Sequence, residues 1–145
     1  MKQDMFLKQI CQYNTLYCAW ERVKENGGCS GADGVSIERF SFNLKENLRD
    51  LSQSLIKRVY HPYPLLHFPV PKRGVKGQRY LSVPTVGDRV AQTSAFLVTK
   101  NIFEAEFEDV SHGFREGRGV RTAVYDIKTW RDKGYWFAVD ADIDD

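Results

Sequence analysis

The chain has 145 residues, of which 42% are hydrophobic, 28% charged and 13% aromatic. That is long enough for one domain with a real core, too aromatic for a solvated disordered chain, and free of any apolar run near the roughly 20 residues a membrane span needs. Net charge is only +2, the N-terminal MKQDMFLKQI is too polar for a signal peptide, and three cysteines (Cys11, Cys18, Cys29) neither pair completely nor match a zinc spacing, so reduced thiols in a cytoplasmic protein are expected.

Residues 4–25 read as a helix with Asp4 as its N-cap, because Leu16, Trp20 and Val23 recur at i, i+4, i+7. NGGCSGADG, residues 26–34, is a loop by composition. Ser36 then caps a second helix over 36–57, whose Ile37, Phe40, Leu44, Leu48, Leu51 and Leu55 form one apolar stripe. All five prolines fall between 62 and 84, which excludes helix there. The segment reads as a β-hairpin, LLHFPV then RYLSV, around the basic loop PKRGVKGQ. Thr85-Val86-Gly87-Asp88 has the form of a capping box and opens a helix over 86–104, with Ala91, Ala95, Val98 and Ile102 expected on its buried face. A fourth helix spans 119–131, on Val120, Ala123, Val124 and Ile127, with Trp130 as packing. Past Gly134, Tyr135 to Val139 is an apolar run suited to a buried strand, and it leads straight into acids. No internal repeat or linker stands out.

Charge is placed unevenly along this order. Residues 57–89 carry seven bases against Asp88 alone, a net +6, whereas 102–110 and the final DADIDD each carry −4. Such separation suits a polyanion held near a bound cation. A carboxylate at the end of a buried strand needs a cation or hydrogen bonds to offset its desolvation, and oxygen-rich carboxylate clusters hold Mg²⁺. Period-2 geometry places Asp140 and Asp142 on one face. The alternative is a charged, solvated terminus. In the hairpin tip, Lys72 and Arg79 flank Gly74 and Gly77, a point charge and a planar donor fork suited to triphosphate oxygens, with an ordinary exposed turn as the plainer reading. Ser111-His112-Gly113-Phe114-Arg115-Glu116-Gly117-Arg118-Gly119 interleaves arginine, glycine and an aromatic, which favours a nucleic-acid strand. Equally, its arginines can pair with the acids at 104–109. His61, His67 and His112 show no ligand spacing.

At these places the sequence resembles prokaryotic reverse transcriptases of the group II intron type, including those associated with CRISPR adaptation. The resemblance runs over about residues 6–145. It is carried by Leu16 to Lys24 with Gly31-Ala32-Asp33-Gly34, by Val70-Pro71-Lys72 with Arg79 to Gln92, by Phe103-Glu104 with Ser111 to Arg118 (a block usually written SYGFRPGRS), and by Val139-Asp140-Ala141-Asp142-Ile143. It implies an α+β fold: a fingers region over 1–134, then the first palm strand of a truncated right-hand polymerase over 135–145. By the same resemblance Asp142 is the first catalytic carboxylate and bridges two Mg²⁺, with the carbonyl of Ile143 on the nucleotide-bound ion. Lys72 and Arg79 grip the incoming triphosphate, and Arg73, Lys76, Arg115 and Arg118 lie along nucleic acid. The implied partners are an RNA template, a DNA or RNA primer and dNTPs, together with intron RNA or CRISPR integrase proteins, and no membrane.

Three departures accompany the likeness. The loop from Lys72 to Arg79 is one residue longer than in many relatives, Glu116 stands where the family has proline, and Gly119 where it has serine. The family's other two catalytic aspartates belong to a downstream YADD-type motif that these residues do not contain, so the 145 residues alone are expected to be an inactive N-terminal fragment. AVDADI and GRGVRTAV lean toward the CRISPR-associated branch. The competing reading is a non-catalytic, maturase-like RNA-binding module.

Overall fold

The computed structural model describes residues 2–72, 74 and 77–141. The chain divides into two units, Met1–Lys100 and Asn101–Asp145.

In the first unit, α1 (Lys2–Ile10) and α2 (Tyr13–Asn26) replace the single helix expected over 4–25, and Asp4 lies inside α1 rather than capping it. The chain breaks at Gln12, whose backbone is extended (φ −63°, ψ 136°). Partners distant in sequence satisfy the carbonyls freed at the break: Ser94 Oγ donates to Ile10 (2.7 Å) and Ser52 Oγ to Cys11 (2.6 Å). A buried carbonyl must find a donor, so these two serines make the break tolerable. The helix expected over 36–57 is likewise two, α3 (Ile37–Phe42) and α4 (Leu44–Ile56), divided at Asn43. Ser36 caps α3 as expected, accepting from the Arg39 main-chain N–H at 3.2 Å. Asn47 Nδ2 donates to the Phe40 carbonyl at 2.8 Å on the far side of the break.

The core forms where the helical stripes meet. Leu16, Ala19, Trp20 and Val23 of α2 pack with Phe40, Leu48 and Leu51, and with Val86, Val90 and Ala91 of α5 (Val86–Glu106). Trp20 and Phe40 stack with centroids 5.2 Å apart. The buried face of α5 is rotated from the one its small residues suggest: Val86, Val90, Ala91 and Ser94 are inside, whereas Ile102 is exposed.

Between α4 and α5 stands the hairpin, β1 (Leu66–Pro71) antiparallel to β2 (Gln78–Val83), with Leu66 opposite Val83 and Val70 opposite Arg79. The extended arm before it is tied down at Asp88, which is only 3% exposed. Its carboxylate accepts from the Thr85 hydroxyl (2.7 Å), the Tyr63 main-chain N–H (3.2 Å) and the Tyr60 hydroxyl. Thr85 Oγ1 in turn accepts from the Asp88 N–H at 3.1 Å, so the expected cap forms and serves also as a clamp on the arm. Gly31 allows the glycine loop to close onto the same corner. A Cβ there would lie 2.6 Å from the backbone of Thr85.

The second unit holds the end of α5, a turn-rich loop and α6 (Val120–Asp132). The face expected to be buried is not covered among the described residues: Val120, Val124 and Ile127 are exposed. Trp130, expected as packing, is about half exposed, with Tyr135 edge-on at 5.3 Å and Lys133 over its ring. Residues 135–141 have no regular secondary structure, so the expected strand is not formed there. A strand exists only through a laddered neighbour, and the one sheet among the described residues is β1–β2.

Candidate nucleotide and nucleic-acid interface

The hairpin brings two of the singled-out cations onto one face. Arg79 sits opposite Val70, and Lys72 follows Val70 by two residues, which is the period of a strand face. The Lys72 N–H donates to the Gly77 carbonyl at 3.1 Å and extends the ladder one step past the strand ends. Gly77 (φ +145°) and Gly74 (φ +78°) supply backbone conformations that side-chain-bearing residues rarely adopt, so the turn closes on glycines. Both Lys72 and Arg79 are exposed, as a grip on a polyanion requires. The same face continues through Phe68 and Leu81, both exposed. On the opposite face, His67 Nδ1 lies 2.9 Å from Ser82 Oγ, and its ring meets Tyr80 edge-on. Arg73 and Lys76 lie outside the described residues, as do Asp142 and Ile143.

Arg89, counted with the basic block by its position, is used differently. Its guanidinium donates to the carbonyls of Gly27 (3.0 Å) and Cys29 (2.8 Å) and so pins the glycine loop against α5. The capping-box spacing marks Asp88 as the partner of Thr85, but nothing in the sequence marks its hold on Tyr60 and Tyr63 or sets Arg89 apart from surface charges; only the fold reveals these roles. Burial, with the Asp88 carboxylate beside it, pushes the Tyr60 hydroxyl well above the usual tyrosine range. Burial also raises the Cys11 thiol, and all three cysteines are free.

In the second unit the arginines of the interleaved loop turn back on the loop itself. Arg115, with its side chain 5% exposed, binds Glu104 Oε1 through Nη2 (2.7 Å) and Nε (3.0 Å). It also donates to the carbonyls of Glu108 and Ser111, and its guanidinium lies over the Phe107 ring. This fork holds the Glu104 carboxyl below its ordinary value. Arg118 donates to the Asp109 carbonyl and stands 3.6 Å from its carboxylate. Of the two sequence readings, the arrangement seen is pairing with the acids at 104–109. Phe114, between them, is fully exposed. His112, unremarkable by spacing, is the hub of a small network: Nδ1 is 2.9 Å from Thr122 Oγ1 and Nε2 is 3.1 Å from Asp126 Oδ2.

Among the described residues no three His, Cys, Asp or Glu side chains gather to hold a metal, and no helix is long and apolar enough to cross a membrane. Asp140, the one described acid of the terminal cluster, is exposed.

A small helical unit with a projecting basic hairpin, followed by an arginine-stapled loop, is the architecture to be matched. No family model matches the chain. It is similar to the group II intron-encoded protein LtrA of Lactococcus lactis subsp. cremoris, 33% identical over 136 residues, or 94% of this chain and 22% of LtrA. Protein YkfC of Escherichia coli K12 is 32% identical over 98 residues, covering 68% of this chain and 26% of its own length. The COX1/OXI3 intron 1 protein of Saccharomyces cerevisiae is 27% identical over 124 residues, 84% of this chain and 14% of that protein. The chain is a homologue of the group II intron-encoded proteins, and it spans about a fifth of the length of LtrA.

Proposed function

We propose that this segment is the fingers region and palm entrance of an RNA-directed DNA polymerase that works with a group II intron. The observation that carries the proposal is the hairpin: on a chain homologous to intron-encoded proteins over nearly its whole length, Lys72 and Arg79 share one exposed face beside a glycine turn. In this reading the two cations neutralise the triphosphate of an incoming dNTP, Lys72 as a movable point charge and Arg79 as a two-pronged donor. They orient the α-phosphate for in-line attack by a primer 3′-hydroxyl and favour departure of pyrophosphate. Asp142 is the catalytic carboxylate, and Arg73, Lys76 and Arg118 follow the template or primer backbone. Arg115 serves by keeping its loop in shape. A carboxylate (Asp142) and a main-chain carbonyl (Ile143) are the hard oxygen donors that suit Mg²⁺, whose pair of ions would supply charge stabilisation at the reacting oxygens. The intron context is favoured over CRISPR spacer acquisition because LtrA and the COX1/OXI3 intron 1 protein, named above, are intron proteins.

The test is primer extension on an RNA template by the complete product of the gene. Asp142→Asn abolishes extension and leaves RNA affinity within about twofold; retained extension would overturn the assignment. A maturase-like binding module would show no dNTP dependence on Lys72 or Arg79.

A further inference from the structure

The two long edges of the hairpin are not equivalent. The Lys72 N–H donates to the Gly77 carbonyl at 3.1 Å, which makes these two a hydrogen-bonded pair of the antiparallel ladder. Pairs of that kind recur every second residue, at Val70–Arg79, Phe68–Leu81 and Leu66–Val83. The residues between them turn their main-chain groups outward: His67, Pro69 and Pro71 on β1, and Gln78, Tyr80 and Ser82 on β2.

Pro69 and Pro71 have no N–H to give, so the outer edge of β1 is closed to a further strand. The outer edge of β2 carries no such block. Gln78, Tyr80 and Ser82 each keep a donor and an acceptor, all three are exposed, and no main-chain group outside the hairpin bonds to them among the described residues. The side chains of Tyr80 and Ser82 meet His67 of the same hairpin and leave the backbone edge clear. Along that edge Tyr80 is 68% and Leu81 56% exposed.

An open edge takes an extended strand, and β2 is complementary to itself. Two copies of β2 can run antiparallel about a twofold axis, and charge and proline choose the register. Centred on Arg79, the pairing sets two guanidinia directly opposite each other, which is destabilising. Centred on Leu81, it sets Gln78 against Pro84, which has no N–H. Centred on Tyr80, it lets Gln78, Tyr80 and Ser82 all give and receive a bond, and no charge faces its like. That register also puts the two Tyr80 rings side by side and lays each Arg79 stem along Leu81 of the second copy. We propose that the free edge of β2 is a self-association site, at which a second copy of this chain adds its own β2 in the register centred on Tyr80. The resulting sheet, β1–β2–β2–β1, ends on a proline-blocked β1 at both sides, so assembly closes at two copies. The contact uses six residues a side against the roughly 20–30 of a standard interface, which makes the dimer a weak one, with a Kd on the order of 0.1 mM. It engages the backbone edge and leaves the cations of the hairpin face free, so it stands apart from the triphosphate reading.

Sedimentation equilibrium of the 145-residue chain tests it, with dimer and no larger species forming as concentration rises to ~1 mM, about tenfold above that Kd. Tyr80→Pro removes an outward N–H but no ladder bond, as Pro69 and Pro71 do on β1, and weakens dimerisation at least about tenfold. In a chain carrying Cys18→Ser and Cys29→Ser, Tyr80→Cys brings the two new thiols together at the axis, with Cα atoms about 5.5 Å apart and within disulfide reach. Diamide then yields covalent dimer at least about tenfold faster than it does for Phe96→Cys, an exposed site on α5, in the same background. Circular dichroism confirms folding, and if Tyr80→Pro does not fold, the cross-linking rates decide alone. A chain that stays monomeric at ~1 mM refutes the site. So does a dimer that survives Tyr80→Pro but is lost in Val124→Lys, on the exposed face of α6, and so do equal cross-linking rates for the two cysteine variants.

Discussion

Asp88 is the residue whose removal should tell most about how the hairpin is held. Its carboxylate is buried and accepts three hydrogen bonds, from Thr85, Tyr60 and the Tyr63 N–H. In Asp88→Ala the Tyr63 N–H is free to turn to water, because Tyr63 is exposed, but the Thr85 and Tyr60 hydroxyls lose their acceptor in a buried or half-buried setting. At about 1–3 kcal/mol for each stranded donor, and less than additively, the loss is about 2–4 kcal/mol. For a chain of this size that lowers the melting temperature by roughly 10 °C. Tyr60→Phe removes one bond and no acceptor, and costs about 1 kcal/mol. The double variant then falls short of the summed losses by about 1 kcal/mol, because the shared bond is lost only once. Urea unfolding followed by far-ultraviolet circular dichroism measures all three. An Asp88→Ala protein within about 0.5 kcal/mol of the parent, the range of an ordinary surface change, would refute the clamp.

Three further outcomes follow from the same structure. The Tyr60 hydroxyl is held above the usual tyrosine value, so its contribution is complete below about pH 10 and is lost as pH rises from there through the folded-state value; the stability difference between the parent and Tyr60→Phe should therefore shrink as pH rises above about 10, and a difference that stays constant would contradict this. Gly31→Ala forces a Cβ to within 2.6 Å of the Thr85 backbone, with no flexible side chain to yield, and should destabilise by about 1–3 kcal/mol by denaturant titration. Glu104 is held low by Arg115, so that pairing persists above the ordinary carboxylate value near 4.3 and is lost as pH falls through the folded-state value; carbon-detected NMR titration should move the Glu104 midpoint upward in Arg115→Ala, and an unmoved midpoint would argue against the fork.

Much of this is legible in the residues themselves, and the exceptions share a cause. The stripes of α2 and α4, the Ser36 and Thr85 caps and both strands can be read because each signal is local: a spacing, a cap residue or a proline. The breaks at Gln12 and Asn43 are invisible because the apolar period carries on through them, and only the distant Ser52 and Ser94 make the first one stable. Asp88 reads as a cap partner and Arg89 as one more charge until the fold adds Tyr60 and Tyr63 to the first and sets the second on carbonyls of the glycine loop. Arg115 shows the converse, since its motif favours nucleic acid while Glu104 and Phe107 bind it first. For α6 and residues 135–141 the apolar pattern states a demand for burial, and no described residue covers them. Of the candidate site, Lys72 and Arg79 share one face of the hairpin, whereas their role and that of Asp142 are matters for experiment.

The most direct test of the central claim is steady-state primer extension on an RNA template by the gene's complete product, comparing the parent with Lys72→Ala, Arg79→Ala and the pair. A triphosphate grip predicts a KM for dNTP raised at least about tenfold in the double variant, equivalent to one charge-assisted hydrogen bond, with template affinity unchanged. An unaltered KM, or a loss confined to RNA binding, would contradict it.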